Sequence, residues 1–252
     1  MTIHQPIHAG SALDFDEKTA RTYLAATYRL IAYLGWDEGI YNHISLRVPS
    51  EPTKFLIKHH ELLYREVTAS NLIKVDMTHD LDEKSGVNRP GFTLHSGILM
   101  GRSDVNCAIH LHTTEGIALS AHKGGLRMMS QNALRFYQRI GYHPYEGITE
   151  DFGERERILA NLGQGKALVL ENHGLLTISP TPWGAFGLMR DLITACKSQL
   201  LLEATGAEVK EISTDICEKV ARQYDAHDNG RGTADWPSWL RLLDSVDQSY
   251  RW

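Results

Sequence analysis

The sequence predicts a single α/β domain. Its 252 residues are 42% hydrophobic and 23% charged, which is typical of a globular protein that buries a substantial core. Segments with strand-like apolar patterns are interspersed with longer segments of helical spacing, and neither a repeat nor a linker-like stretch separates them. We therefore expect residues 1–15 to be a flexible N-terminal arm and residues 16–252 to form one domain.

Apolar residues at helical spacing, together with helix start and stop signals, predict the helices. In the first helix, residues 16–34, apolar side chains recur at helical intervals, Asp14 or Asp16 can cap the beginning, and Gly35 ends it. The same pattern predicts helices at 93–100, 114–120, 153–162, 182–205 and 212–224. The tail, residues 235–252, is rich in tryptophan and is expected to pack against the domain.

Alternation of apolar and polar residues, or a short apolar run, predicts the strands. Between residues 41 and 48, Ile44, Leu46 and Val48 alternate with polar side chains, and Pro49 ends the strand. Further strands are predicted at 54–58, 71–77, 107–112, 167–170 and 174–178. Residues 80–90 are polar and contain glycine, so they are predicted to form a loop.

Charge and composition argue against several classes of function. The net charge of −5 gives no reason to expect a nucleic-acid partner. No apolar stretch approaches the roughly 20 residues needed to cross a bilayer, and the N-terminus lacks the basic and apolar regions of a secretory signal. Three cysteines are too few and too scattered for a disulfide framework. The sequence thus predicts a cytoplasmic protein with neither a nucleic-acid nor a membrane partner.

Two histidines on one predicted strand are the sharpest local feature. Because side chains two residues apart on a strand point to the same face, His110 and His112 are expected to converge. Each imidazole in this apolar segment needs partners for both ring nitrogens, and a divalent cation would satisfy that need. The alternative is that one histidine packs in the core while the other lies at the surface.

A third histidine follows the apolar strand predicted at 167–170. His173 lies at the carboxyl end of that strand and is followed by Gly174, a position at which α/β proteins often place ligand contacts. The alternative is a turn residue that happens to be histidine.

These histidine motifs resemble those of the class II aldolase/adducin family. The segments DVNCAIHLHTTEGIALS at 104–120 and ALVLENHGLLTI at 167–178 resemble its two-part histidine motif. The segments YNHISLRV at 41–48 and GFTLHSGI at 91–98 resemble its adducin-like branch, and the resemblance runs from about residue 20 to the end.

The resemblance implies both a fold and a metal. The fold would be a single three-layer α/β/α domain with a central, largely antiparallel sheet, assembled into a symmetric homotetramer with active sites between subunits. A divalent metal, usually Zn²⁺, would be bound by His110, His112 and His173, with Fe²⁺, Mn²⁺ or Co²⁺ as other candidates.

The sequence departs from the sugar-phosphate aldolases of this family at the catalytic acid or base. Those enzymes carry a glutamate that ligates the resting metal and moves a proton, at the position of Gly91 in this chain. Glycine can do neither. Glu115, which follows the two-histidine strand, is a candidate catalytic residue, although an acid near a helix N-terminus also stabilises the helix dipole.

The segments that bind phosphate in those aldolases are also different here. By resemblance they correspond to residues 42–43, 60–61 and 89–90, which cannot form the same hydroxyl-lined anion site, so sugar phosphates are disfavoured as substrates. Instead, four residues are candidates to bind a small acid beside the metal, namely Lys58, His60, Arg89 and His43. Solvated loop charges are the alternative interpretation of the lysine and the arginine.

A tyrosine of the neighbouring subunit lies near the substrate in those aldolases. The corresponding region of this chain makes Gln131 a candidate catalytic residue, and Tyr137, Tyr142 and Tyr145 just beyond it remain alternatives.

Together these features predict a metal-dependent lyase that acts on a small hydroxy or oxo acid, by retro-aldol cleavage or decarboxylation, rather than on a sugar phosphate. Its partners would be this small-molecule substrate and further copies of itself. A non-haem Fe(II) oxygenase on the same fold is one alternative, because three histidines leave open metal positions. A non-catalytic oligomeric scaffold, as in adducin, is the other, because the absent glutamate is shared with that branch.

Overall fold

The structure is a computed structural model that describes residues 13–82, 84–148, 153–228 and 234–252. Most of the predicted arm, residues 1–12, therefore lies outside the described residues. Phe15, placed in the arm by the sequence pattern, instead packs edge-on against Tyr23, with ring centroids 5.3 Å apart. The packed domain thus begins before residue 16.

One sheet runs through the described residues. Its seven strands are β1 His43–Val48, β2 Glu51–Ile57, β3 Ile73–Asp76, β4 Cys107–Leu111, β5 Ile140–His143, β6 Ala167–Leu170 and β7 Gly174–Ser179. They are ordered β3-β2-β1-β4-β7-β6-β5. Every neighbouring pair is antiparallel except β5 and β6, which are parallel. The prediction of a largely antiparallel central sheet is confirmed.

Helices connect and cover the strands. In the described residues they are α1 Glu17–Tyr33, α2 Arg89–Gly101, α3 Thr114–Ser120, α4 Gln131–Leu134, α5 Glu154–Leu162, α6 Pro182–Ala204, α7 Thr214–Asp228 and α8 Trp236–Val246. Two short 3-10 helices, Tyr64–Glu66 and Ser249–Arg251, complete the regular elements. No helix of this part of the chain combines the length and apolar character needed to cross a membrane.

The strands separate two hydrophobic clusters. Helices α1, α3, α6 and α8 cover one face, where Ile109 and Leu175 point, while α2 and α5 cover the other, where Ala108 and Leu176 point. Neighbouring residues of one strand enter opposite clusters because strand side chains alternate between faces. The predicted three-layer α/β/α arrangement is confirmed.

The second helix begins earlier than its apolar spacing predicts. The sequence pattern places residues 80–90 in a loop, but α2 starts at Arg89, because the Asn88 side chain caps it by accepting a hydrogen bond from the Gly91 amide (3.3 Å). Pro90 then occupies the first turn, where its missing amide hydrogen costs nothing. This early start brings Gly91 against the sheet.

One strand and two α-helices have no counterpart among the predicted helices and strands. Strand β5 is a short edge strand, and its parallel partner β6 is distant from it in the sequence. Helix α4 has only four residues. The third is α8, within the tail that was expected to pack against the domain. That expectation is confirmed, since Trp236, Leu243 and Tyr250 are buried.

Candidate metal centre

The three histidines of the sequence motif come together. Ring centroids of His110, His112 and His173 lie 4.6 to 4.8 Å apart in every pair. Each ring offers one nitrogen to a common set in which all three atoms lie within 4.8 Å of one another. His110 is on β4, His112 directly follows that strand, and His173 precedes β7, which pairs with β4.

The hydrogen bonds of the triad fix which imidazole nitrogens carry protons. His110 Nδ1 lies 3.0 Å from the Leu175 carbonyl oxygen, and His112 Nδ1 lies 2.7 Å from the Glu38 carboxylate. Both partners are acceptors, so each Nδ1 donates its hydrogen and each Nε2 presents a bare lone pair. Yet the two Nε2 atoms are only 2.9 Å apart. With both rings neutral, these two lone pairs would repel each other, and a cation bound by both nitrogens would relieve that repulsion.

The backbone conformation of the turn before β7 positions His173 beside the other two histidines. Asn172 adopts a left-handed backbone conformation (φ 56°), which asparagine tolerates better than most residues. The His173 amide then donates to the Leu170 carbonyl and to the Ser120 hydroxyl, at 3.0 and 3.1 Å. These bonds hold the turn beside α3.

Gly174 allows the same turn to lie against β4. A Cβ atom at this position would stand 2.6 Å from the Leu111 carbonyl oxygen and 2.9 Å from a ring carbon of His112. The first contact is with backbone and cannot yield easily. Glycine is therefore required for His173 to approach the other two imidazoles.

Glu38 supports the triad from the loop between α1 and β1. Its carboxylate accepts hydrogen bonds from His112 Nδ1 and, at 3.5 Å, from the Asn42 amide. A carboxylate behind a ligating histidine fixes the tautomer and makes the ligating nitrogen more basic. The sequence did not single out Glu38, because nothing in its local pattern distinguishes it from a solvated loop acid.

Burial keeps two of the imidazoles neutral. Desolvation, followed by the neighbouring histidines, lowers the pKa of His110 well below its ordinary range. Desolvation, followed by His112, lowers the pKa of His173 to about 4. A neutral imidazole is the form that binds a metal, so the residues present fit a divalent cation. Three protein ligands would leave further positions for substrate oxygen atoms.

Lys58 is close to the site but is already engaged. Its side chain is almost fully buried, and its ammonium donates to four backbone carbonyls at 2.7 to 3.3 Å, those of Ile40, His59, His60 and Leu62. Burial lowers the pKa of this ammonium to about 8. With its hydrogens committed, Lys58 supports the loop after β2, and the structure favours this role over binding of a substrate carboxylate.

The other predicted substrate-binding residues lie at different depths. His43 is opposite His110 across β1 and β4, and is buried on the same face of the sheet. His60 is half-buried with its ring 6.1 Å from that of Tyr41, and desolvation lowers its pKa. Arg89 is exposed at the first residue of α2.

The two predicted catalytic residues are not brought to the triad within this chain. Glu115 lies in the first turn of α3, with its carboxylate 3.4 Å from the Lys197 ammonium of α6. That contact and its place at a helix N-terminus account for an acid there. Gln131 is exposed at the start of α4, which packs against α6 and α7.

A second cluster of metal-ligand types, which the sequence did not single out, lies nearby. His143, Glu146 and Glu154 bring candidate ligand atoms within 4.8 Å of one another. However, the Asn161 amide donates to His143 Nδ1 at 2.9 Å, so His143 Nε2 carries the hydrogen and faces Glu154 at 3.3 Å. A protonated nitrogen cannot ligate a cation. The cluster is better described as a buried histidine–glutamate pair.

The fold agrees with comparisons to known proteins. The family described as "Class II Aldolase and Adducin N-terminal domain" matches residues 22–200, and the chain belongs to this family. A protein of Caulobacter vibrioides, named provisionally as an aldolase class 2 protein, is 38% identical over 93% of this chain and 92% of its own length. The resemblance identified from the sequence is confirmed.

Other relatives represent both branches of the family. Rat α-adducin is 40% identical over 93% of this chain, which spans 34% of adducin's own length. The crystal structure of an aldolase II superfamily protein from Pseudomonas syringae is 38% identical and superposes with a TM-score of 0.87, covering 95% of this chain and 97% of the other. An L-fuculose 1-phosphate aldolase from Glaciozyma antarctica, at 24% identity and TM-score 0.80, covers 98% of each chain and shows the shared fold.

Proposed function

We propose that this chain is a metal-dependent carbon–carbon lyase that acts on a small hydroxy or oxo acid, by retro-aldol cleavage or decarboxylation. The observation that carries the proposal is the convergence of three imidazoles, with the Nε2 atoms of His110 and His112 2.9 Å apart and His173 completing the set. Relatives named as aldolases support a lyase. Zn²⁺ is the expected ion, with Fe²⁺, Mn²⁺ and Co²⁺ as candidates.

The chain's own residues would bind and orient the substrate. A bound divalent cation would supply Lewis-acid polarisation of a substrate carbonyl and stabilise the negative charge that develops as a carbon–carbon bond breaks. Glu38 and the Leu175 carbonyl hold the His112 and His110 rings in position. His43, His60 and Arg89 are proposed to contact the substrate, with Lys58 ordering the loop that carries His60.

A small acid fits these surroundings better than a phosphate. Glu61 follows His60 and adds a negative charge, while the nearby Lys58 ammonium is already bonded to carbonyl oxygens. A carboxylate adjacent to a carbonyl or hydroxyl could instead be held by the metal itself, in bidentate fashion. Arg89, exposed at the start of α2, would add positive charge at the edge of the site.

We further propose that the protein assembles with itself, as a tetramer. The exposed position of Gln131, away from the histidines of its own chain, is consistent with a catalytic residue delivered by a neighbouring subunit. Light scattering coupled to size-exclusion chromatography tests the assembly. A monomer at working concentration would remove Gln131 from the proposed site.

The 40% identity to α-adducin supports a second candidate, a non-catalytic oligomeric scaffold. The two candidates differ in their need for a metal. A scaffold gains nothing from three converging imidazoles, whereas the lyase cannot work without them.

Metal analysis of protein purified without a polyhistidine tag tests the proposal. We expect about one divalent ion per chain, as three-histidine sites bind one, with none in His110→Ala. His122→Ala is the matched control, because His122 lies outside the triad and its Nε2 atom is 3.3 Å from the Glu203 carboxylate. Metal-loaded protein is then assayed with a panel of 2-oxo and hydroxy acids. Failure to bind any metal would leave the scaffold as the function.

A further inference from the structure

The segment that follows β5, residues 144–148, lies beside the turn that carries His173. Strands β5 and β6 are parallel, so their carboxyl ends meet at the same edge of the sheet. The Glu171 amide donates a hydrogen bond to the His143 carbonyl at 2.8 Å, which joins the ends of the two strands. The chain that leaves β5 therefore passes next to the third candidate metal ligand.

Within this segment, Tyr145 brings an aromatic ring to the triad. Its ring packs edge-on against that of His173, with centroids 6.3 Å apart and planes inclined at 74°. Tyr142, another tyrosine that the sequence left open as an alternative, has a different contact, because its hydroxyl accepts a hydrogen bond from the Leu126 amide at 2.9 Å. The same chain that provides the three histidines therefore also provides an aromatic side chain beside them.

The backbone is held in place on both sides of Tyr145. His143, two residues earlier, is buried and hydrogen-bonded through both of its ring nitrogens. Glu146, the next residue, accepts hydrogen bonds from Arg157 Nε with both carboxylate oxygens, at 3.0 and 2.9 Å. Tyr145 thus keeps a fixed position relative to the triad although it is 56% exposed.

Tyr145 lies on the side from which a ligand reaches the triad. His110 is buried, whereas His112 and His173 are partly exposed. A ligand that approaches from solvent therefore meets His112 and His173 first. Because the exposed ring of Tyr145 contacts one of these two histidines, it forms part of the wall at the entrance to the candidate metal centre.

The chemistry of this wall favours a neutral, apolar substituent. Tyr145 and Ile148 are two large hydrophobic side chains exposed within one short segment, and Ile148 is 74% exposed. Neighbouring exposed apolar residues beside a site are a common feature of ligand-binding surfaces. Glu171 lines a small cavity together with Tyr145 and His173, and no cation pairs with it among the described residues. Its negative charge disfavours a phosphate or a second carboxylate at this place.

We propose that Tyr145 forms an aryl-binding subsite at the entrance to the metal centre, which selects oxo or hydroxy acids that carry an aromatic substituent. The inference rests on the proposed function and deepens it, because it narrows the small acid to an aryl-substituted one. An acid held at the triad through its carboxylate and the adjacent oxygen would place its aromatic ring against that of Tyr145, in an offset or edge-on arrangement. Tyr145 acts here as a binding residue through its ring.

Three probes with the same 2-oxo acid unit and different substituents test the subsite. The affinities of pyruvate, phenylpyruvate and 2-oxoglutarate for Zn²⁺-loaded protein are compared by isothermal titration calorimetry. We expect phenylpyruvate to bind about three- to tenfold more tightly than pyruvate, as an aromatic pair would provide, and 2-oxoglutarate to bind no more tightly than pyruvate. Equal affinities for pyruvate and phenylpyruvate, or a preference for 2-oxoglutarate, would overturn the subsite while leaving the metal-dependent function standing. If the metal-loaded protein binds none of the three acids, both proposals fail.

Variants of Tyr145 identify the group responsible for the preference. Tyr145→Phe keeps the ring and should keep the preference for phenylpyruvate, whereas Tyr145→Ala should lose it with the affinity for pyruvate and the metal content unchanged. Tyr33→Ala is the matched control, because Tyr33 is a similarly exposed tyrosine (50%) at the end of α1. A full preference in folded Tyr145→Ala would overturn the assignment. Loss of the preference in Tyr145→Phe would do the same, since the hydroxyl would then be responsible.

A subunit interface is the other use that an exposed tyrosine ring can have. Light scattering of Tyr145→Ala distinguishes the two, and we expect the same assembly as in the wild type. A change of assembly in this variant, with Tyr33→Ala unaffected, would assign the ring to an interface between copies of the chain and overturn the subsite.

Discussion

At the scale of single residues, the candidate metal centre depends on atoms that are not themselves ligands. The ring orientation of His112 is set by Glu38, and that of His110 is set by a backbone carbonyl. Such partners lock the tautomer in which Nε2 is bare, which is the form that a cation needs. Replacing a residue that hydrogen-bonds to a ligating histidine should therefore weaken metal binding without removing any ligating atom.

Glu38→Gln should lower metal affinity about 10- to 100-fold, because the neutral amide makes His112 less basic and can favour the wrong tautomer. Competition with a chelator of known affinity measures the change. Glu203→Gln is the matched control, since Glu203 also faces a histidine, His122, at 3.3 Å. Unchanged affinity in Glu38→Gln would show that the carboxylate does not support the ligand.

Lys58 was predicted to bind substrate, but its contacts indicate that it stabilises the folded protein. Lys58→Met should reduce the free energy of unfolding by about 1–3 kcal/mol, because four carbonyl oxygens lose a shared buried donor. Urea unfolding at neutral pH measures this loss. Arg65→Met, an exposed charge in the nearby 3-10 helix, is the control and should change stability little. Wild-type stability in Lys58→Met would return the lysine to the candidate substrate-binding residues.

At the scale of elements, the carboxylate of Asp244 holds the C-terminal segment against α8. Asp244 of α8 accepts hydrogen bonds from the Tyr250 hydroxyl and from the Arg251 guanidinium at 2.7 to 2.9 Å. The backbone then bonds to the loop before β3, since the carbonyls of Tyr250 and Trp252 accept from residues 69 and 70. The last residues thus tie α8 to the far end of the sheet.

Asp244→Asn should make this segment less stable at neutral pH and less sensitive to acid. The Arg251 hydrogen bond, and then that from Tyr250, holds the pKa of Asp244 below its ordinary value despite partial desolvation. Because the folded-state pKa is depressed, the stabilisation is present above about pH 4, the unfolded value, and is lost as the pH falls through the folded-state pKa. We expect a loss of about 1 kcal/mol or less at pH 7, since the pair is partly exposed.

Urea unfolding of wild type and Asp244→Asn at pH 7 and pH 3 measures both effects. The difference between the two proteins should shrink at the lower pH. Asp215→Asn, at an exposed acid in the first turn of α7, is the control. A difference that stays constant between the two pH values would show that Asp244 is not the group that titrates.

Local patterns predicted most of the helices and strands, together with the convergence of His110 and His112, whereas His173 was added to this pair through the family resemblance. His110 and His112 share a face because of strand geometry, so their convergence follows from two residues. Gly91 and His43 are different, because their contact requires β1 to lie beside β4 and α2 to begin at Arg89. The same holds for β5, whose parallel partner β6 lies elsewhere in the sequence. Such contacts depend on strand order, which no local pattern contains.

At the scale of the whole molecule, the candidate metal centre joins segments far apart in the sequence. Its ligands come from β4 and from the turn before β7, and its support comes from the loop after α1. The backbone pairing of β4 with β7 and the two hydrophobic clusters exist independently of any ion. A bound metal should therefore raise stability without being required for folding.

Saturating the protein with Zn²⁺ should raise its melting temperature, because a ligand that binds only the folded state stabilises it. At a free concentration about 100 times Kd the gain is about 2.7 kcal/mol. For a domain of this size that corresponds to an increase of roughly 5–10 °C relative to chelated protein. Circular dichroism of the chelated protein should retain the native secondary structure. His110→Ala should show no increase, and an equal increase in that variant would place the bound metal elsewhere. Collapse of secondary structure on chelation would instead mean that the ion is needed to hold the turn before β7 against β4.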